Sequence, residues 1–102
     1  MTEQVVTTAV VRNAAQHRYE VWYGDKLAGF TEFREPGDET VFIDTEIDGE
    51  FGGRGLGSAL IRDAVADAAA RGRTLVPRCP FVKNWLDKHP EYDAHVAGKS
   101  AG

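Results

Sequence analysis

Phe51-Gly52-Gly53-Arg54-Gly55-Leu56-Gly57-Ser58 separates a β-branched, apolar stretch from an alanine-rich one. Four of the six residues from 52 to 57 are glycine. Glycine loses more backbone freedom on folding than any other residue, so this density is costly unless bare backbone must approach something closely. At the start of a helix, free N–H groups and the positive dipole end suit phosphate oxygens. The stretch reads as a diphosphate cradle.

Upstream of it the chain has the period of strands. Gln4 to Arg12 is β-branched. His17 to Tyr23 alternates Tyr19, Val21 and Tyr23 against Arg18, Glu20 and Trp22. Gly24-Asp25-Lys26 is a hairpin turn, and Leu27 to Arg34 is a third strand. The turn Glu35-Pro36-Gly37-Asp38 leads into a fourth strand, Thr40 to Ile47, with Val41, Ile43, Thr45 and Ile47 expected on one side. Strands joined by hairpins imply an antiparallel meander.

Downstream the period becomes helical. From Arg54 to Arg71, apolar residues fall at Leu56, Leu60, Ile61, Ala64, Val65 and Ala68. Asp67 and Arg71 stand four apart, in the order that favours an ion pair. Gly72 is a natural helix stop. Thr74-Leu75-Val76 is a short fifth strand, reached by a right-handed crossover and so parallel to the fourth. Pro80 suits the first position of a second helix. Its apolar face is Phe81, Val82, Trp85, Leu86 and His89, and it stops before Pro90. The tail from Ala97 to Gly102 is expected to fray. The order β-β-β-β-α-β-α defines an α+β class with a mixed, mostly antiparallel sheet and two main helices.

A chain of 102 residues makes one domain, 1–102, with a core that needs no disulfide. The single cysteine, Cys79, excludes an internal disulfide and fits a reducing, cytoplasmic setting. No apolar run is long enough for a membrane span, and Met1-Thr2-Glu3-Gln4 lacks the features of a secretory signal. A net charge of −4 argues against a nucleic-acid partner. The charge is uneven. Residues 1–53 hold 11 acids and 4 bases, whereas 54–102 hold 5 acids and 8 bases. That asymmetry fits a cationic acceptor and an anionic cofactor, or a merely solvated surface. His17, His89 and His95 show no spacing that suggests a metal site.

Three glycine-loop chemistries compete for the cradle. Gly52 and Gly57 have the spacing of a Walker A loop, but Ser58 and Ala59 follow where that loop needs its lysine. A dinucleotide fingerprint fails because Leu60 or Ser58 occupies the third glycine position, and a meander precedes the loop. The third is the acyl-CoA loop. Gly53-Arg54-Gly55-Leu56-Gly57-Ser58-Ala59-Leu60 resembles the G-x-G-x-G/A core of the GNAT (GCN5-related) N-acetyltransferases. A later block, Val76-Pro77-Arg78-Cys79-Pro80-Phe81-Val82 with Trp85 and His89-Pro90-Glu91-Tyr92, resembles the small single-domain members of that family. The wider family usually begins the motif with Gln or Arg where this chain has Gly52. Leu86, beside Trp85, stands near the position where larger members place a tyrosine acid.

The resemblance implies an acetyl-CoA-dependent transfer of an acetyl group to a primary amine, either a small amine or a lysine-containing acceptor. It places Gly52, Gly53, Arg54, Gly55, Leu56, Gly57 and Ser58 around the CoA diphosphate. It also implies that the fourth and fifth strands splay, so that Thr45, Glu46 and Ile47 can pair with the pantetheine amides as an added strand. Glu46 is a candidate base acting through water, or a solvated carboxylate. The resemblance sets Cys79 near the thioester. There it takes the acetyl group, only lines the thiol end, or is a small buried thiol. His89 is assigned packing or capping. A non-catalytic acyl-CoA-binding or interaction module is the alternative to an enzyme. No metal is expected, and the chain is expected to be a monomer or weak homodimer.

Overall fold

The computed structural model describes residues 6–99. Five strands form one sheet in the order of the chain: β1 (Thr8–Asn13), β2 (Arg18–Tyr23), β3 (Lys26–Arg34), β4 (Glu39–Ile47) and β5 (Thr74–Pro77). The first three pairings are antiparallel and β4–β5 is parallel. Helix α1 (Leu56–Ala70) crosses back between β4 and β5, and α2 (Pro80–Asp87) follows β5. The expected α+β class and element order hold. Three 3-10 turns were not expected: Ala14–Gln16, Gly49–Phe51 and Pro90–His95. Gln4 and Val5, expected to open the first strand, lie outside the described residues. No helix among those residues is long and apolar enough to cross a membrane.

The helical spacing read from α1 is the spacing that packs. Leu56, Leu60, Ile61, Ala64, Val65 and Ala68 are all buried against the sheet. The helix ends as Gly72 suggests: its φ of +75° lies in the left-handed region, and the Arg73 N–H donates to the Ala68 carbonyl at 3.0 Å. Tyr19 ties the helix to β2 by donating to Asp67 at 2.6 Å. Burial first, and then that hydrogen bond, push the Tyr19 pKa up to about 12, so the phenol stays a donor. Asp67 also lies 3.8 Å from Arg71, the expected pair.

Strand β4 corrects one expectation. Glu32 pairs with Asp44, but the next residue, Phe33, pairs with Phe42. Ile43 is therefore an extra residue, a β-bulge. Alternation breaks there, so Val41, Ile43, Thr45 and Ile47 do not form one face. Instead Thr40 and Phe42 are fully buried. Glu20, on the face opposite Tyr19 and Val21, is also buried. Its carboxylate accepts from Arg18 at 2.8 Å, Asn13 at 3.0 Å and Trp22 at 3.2 Å, which satisfies it. Of the tail expected to fray, residues 97–99 are held, and 100–102 lie outside the described residues. Val96 is buried beside Leu75, and the Ala97 N–H donates to the Leu75 carbonyl at 2.9 Å. Lys99 reaches Asp87 at 3.2 Å, so the chain is fastened at least to that residue.

At the end of the sheet remote from the glycine loop, Glu35 gathers the fold. It accepts from Thr40 at 2.7 Å and Arg71 at 3.1 Å, pairs with Arg12, and lies 3.5 Å from Arg73. Burial alone would raise its pKa. The hydrogen bonds from Thr40 and Arg71 and the charges of Arg12 and Arg71 outweigh burial and hold the carboxyl below the usual range. The folded pKa is thus lower than the unfolded one. Its stabilisation is complete above the ordinary glutamate pKa and is lost as pH falls through the depressed value. Glu35→Gln should lower the unfolding free energy by about 1–3 kcal/mol at neutral pH. Urea denaturation between pH 7 and pH 3 (about the range of carboxylate titration) should show a smaller acid-dependent loss in the variant than in the native chain.

Candidate functional site

The site begins where β4 and β5 part. They pair only from Glu39–Thr74 to Phe42–Pro77. Beyond that point the N–H groups of Arg78 and Cys79 both donate to one acceptor, the Phe42 carbonyl, at 3.0 and 2.9 Å. The chain then turns away into α2, with Pro80 at its first helical position. Residues 43–47 of β4 continue along β3 with no strand among the described residues on their other side. The splay expected between these strands is present.

Thr45 and Cys79 meet in the fork. The Cys79 thiol donates to Thr45 Oγ1 at 3.3 Å, and Thr45 Oγ1 lies 2.9 Å from Thr31 Oγ1. Cys79 is only 4% exposed. Among the described residues, Thr45 is its sole side-chain partner, and a threonine hydroxyl is too weak a base to take the thiol's proton.

Glu46 is not brought to this group. Neighbouring strand residues face opposite sides of the sheet, so Glu46 lies across the sheet from Thr45. Two residues from Asp44 and diagonal to Glu32, it shares its face with both carboxylates. Its pKa is raised, chiefly by a hydrogen bond with Asp44 and repulsion from that charge, then by burial and by Glu32. A cleft of about 220 Å³ beside it is lined by Gly29, Phe30, Ile47 and Asp48 among others.

The glycine loop follows Ile47 through the 3-10 turn Gly49–Phe51, which Asp48 caps through the Glu50 N–H at 2.9 Å. Phe51 is buried against Tyr23 and anchors the loop. Gly52 is extended. Gly53 and Gly55 have φ of +77° and +72°, values that favour glycine. Gly55 is the N-cap of α1 and makes no side-chain cap. Among the described residues, no protein acceptor takes the N–H groups of residues 53–58. Six donors thus lie at or just before a helix N-terminus, a donor set that fits a diphosphate. Leu56 contributes only its backbone, because its side chain is buried. Ser58 is exposed. Arg54 lies over the Tyr23 ring, with its guanidinium carbon 5.0 Å from the centroid, and donates to the Tyr23 hydroxyl at 3.3 Å. Arg54 and Tyr23 form part of the wall of a broad cleft of about 710 Å³.

Helix α2 departs from the reading of its apolar face. Val82, Trp85 and Leu86 are buried, but Phe81 is 42% exposed. The Phe81 ring covers Gly57, where an added Cβ would lie 2.6 Å from Cζ. His89 stacks flat on Trp85, with centroids 3.7 Å apart and planes 13° from parallel, and its Nδ1 lies 3.1 Å from Glu91. The packing role expected for His89 is observed.

The comparisons agree with this geometry. The model of the GCN5-related N-acetyltransferase family matches residues 18–96, so the chain belongs to that family. The family's characteristic chemistry is acetyl transfer. The solution structure of a GCN5-like candidate N-acetyltransferase from Staphylococcus aureus shares the fold, with a TM-score of 0.67 and 20% identity over 88% of each chain. No curated protein matches.

The position of Asp44 generates a direct test. Asp44→Asn removes the main cause of the raised Glu46 pKa. Carboxyl-carbon NMR titration should show Glu46 deprotonating at lower pH in the variant than in the native chain.

Proposed function

We propose that this chain is an acetyl-CoA-dependent N-acetyltransferase acting on a primary amine. One observation carries the reading: the edge of β4 beyond Phe42, unpaired among the described residues, leads through one 3-10 turn to a loop whose six N–H groups have no protein acceptor among those residues. An extended, amide-bearing chain ending in a diphosphate matches both parts. The β4 edge supplies strand-like partners for amides, and the loop supplies donors and dipole for the anion.

When bound, acetyl-CoA supplies an acetyl group activated as a thioester. The residues of this chain have the following roles. The N–H groups of residues 53–58 hold the diphosphate, and Gly52 leads into them as extended backbone. Arg54 adds positive charge beside the loop. Thr45 and Ile47 position the pantetheine arm along β4. Glu46 takes the proton of the incoming ammonium through water, and its raised pKa brings it closer to that task than an ordinary glutamate. Cys79 lines the thiol end.

The geometry favours direct attack by the amine over an acetyl-cysteine. A thiol nucleophile needs a base to take its proton. The Cys79 thiol instead rests on the Thr45 hydroxyl, and Glu46 belongs to the other face of the strand. The acidic face around Glu32, Asp44 and Glu46 suits a cationic acceptor, whether a small amine or a lysine side chain.

Gly55→Asp should abolish CoA binding measured by calorimetry. The substitution puts a carboxylate into the anion cradle and a side chain at a φ of +72°. Unchanged affinity would remove the cradle and, with it, the enzyme reading. CoA binding with no turnover on any of a panel of amines would favour a non-catalytic acyl-CoA module. Cys79→Ala should keep most of the native kcat. Loss of nearly all turnover, together with an acetylated cysteine in the mass of the native protein, would establish the covalent route instead.

A further inference from the structure

Three polar hydrogens meet at the fork, on Thr31, Thr45 and Cys79. Thr45 Oγ1 lies 3.3 Å from Cys79 Sγ and 2.9 Å from Thr31 Oγ1. Thr31 is fully buried and Cys79 nearly so, whereas Thr45 is half-buried. Resting on the acetyltransferase reading above, we propose that the Thr45 hydroxyl is the hydrogen-bond donor to the departing sulfur of CoA, and that Thr31 and Cys79 set its direction.

The direction follows from counting protons. Each group carries one, and two hydrogen bonds join the three groups. One proton is left over, and burial decides whose. Among the described residues, Thr45 Oγ1 is the only hydrogen-bond partner of the Thr31 hydroxyl. If Thr45 donated to Thr31, the Thr31 proton would be sealed in the core without an acceptor, which folded proteins avoid. Thr31 therefore donates. The buried Cys79 thiol donates as well, since its sulfur is a weak acceptor and the hydroxyl oxygen a good one. Thr45 Oγ1 thus accepts twice, which fills both of its lone pairs. Its own proton must point away from both donors, out of a side chain that is not sealed in.

Thr45 stands on the stretch of β4 that β5 has left. Ile47, next on the same face, has no polar hydrogen, and Cys79 has committed its own. Of the side chains that meet here, Thr45 is the one with a proton to offer. The transfer needs such a donor. As the amine nitrogen bonds to the acetyl carbon, the carbon–sulfur bond breaks and its electron pair stays on sulfur. The amine loses one proton before it attacks and another as the amide forms, both through water. The thiolate takes a proton from water after it leaves. While charge builds on sulfur, a donor already fixed in direction stabilises it without giving up its proton. A hydroxyl suits that task, being too weak an acid to protonate a thiolate. Thr45 is then a catalytic residue and Thr31 a positioning residue.

Two readouts test this on the native chain, Thr45→Val, Thr45→Ser and Thr31→Val: turnover of acetyl-CoA, and the thiol pKa of bound CoA. The second is followed by the ultraviolet thiolate absorbance of the complex less that of the free protein. Two-dimensional NMR spectra report that each variant is folded, and Thr45→Ala replaces Thr45→Val if the latter is not. Thr45→Val should lower kcat about ten- to a hundredfold. It should raise the thiol pKa of bound CoA by about one unit, with CoA affinity at a pH below that titration nearly unchanged. Thr45→Ser should restore both values. Thr31→Val should move both in the same direction by less, because Thr45 keeps its proton but loses one of the groups that aim it. Native kcat and native thiol pKa in Thr45→Val overturn the proposal and spare the transferase reading. Lost turnover with an unmoved thiol pKa also overturns it, since a merely structural role would do that. So does a serine variant as impaired as the valine one. A native chain that binds no CoA, or binds it and acetylates no amine, sinks the transferase reading and this donor with it.

Discussion

The fold turns on one carbonyl. Phe42 accepts the N–H groups of Arg78 and Cys79 together, and that double hydrogen bond is where β5 leaves β4. A parallel pair normally continues as evenly spaced single bonds. Here two donors are spent on one acceptor, so β5 cannot stay in register, and the rest of β4 is left with an unpaired edge. Pro80 reinforces the departure. It has no N–H to give back to the ladder, and its fixed φ starts a helix. An exposed strand edge is ordinarily a hazard for proteins. In this chain the edge lies open beside the fork and leads, through a 3-10 turn, to the glycine loop.

The bulge at Ile43 complements the fork. Without the extra residue, Thr45 would share a face with Val41 and lie opposite Phe42. With it, Phe42 fills the core while Thr45 still reaches Thr31 and Cys79. Strand alternation then sends Glu46 to the other face. One residue of backbone irregularity thereby separates a thiol-lined face from a carboxylate-lined one across a single strand. In the proposed reaction that separation matters, because the cofactor and the acceptor amine must approach from different sides.

Much of this was legible in the sequence because it depends on local chemistry. The burial of Leu56, Leu60, Ile61, Ala64, Val65 and Ala68 follows from a period of 3.6 over fifteen residues. Gly72 and Pro80 mark helix ends through backbone limits that no tertiary contact overrides. The glycine run marks backbone that takes positive φ at Gly53 and Gly55. What escaped depends on distant partners or on a single residue of register. Nothing in Val41-Phe42-Ile43-Asp44 announces a bulge, since both alternating sets contain β-branched or apolar residues. Glu20 is buried only because Arg18, Asn13 and Trp22 converge on it from β1 and β2. Ala97 is held by Leu75, a contact across 22 positions that a local reading of a small-residue tail cannot supply. Phe81 fits the apolar period of α2 and yet lies on the surface, because the space it would fill is opposite a glycine rather than a core.

That last case shows how function and packing divide a helix face. In α2, Val82, Trp85 and Leu86 satisfy the core, and Phe81, Asn84 and Lys88 fall on the adjoining stripe. An apolar residue on such a stripe costs solvent exposure unless something covers it. Gly57 covers part of the ring from below. The uncovered remainder lies next to donors that also have no protein partner. Among the described residues, the exposed Phe81 ring thus adjoins a row of N–H groups that have no protein acceptor. Gly57, with no Cβ, clears the ground on which the Phe81 ring rests.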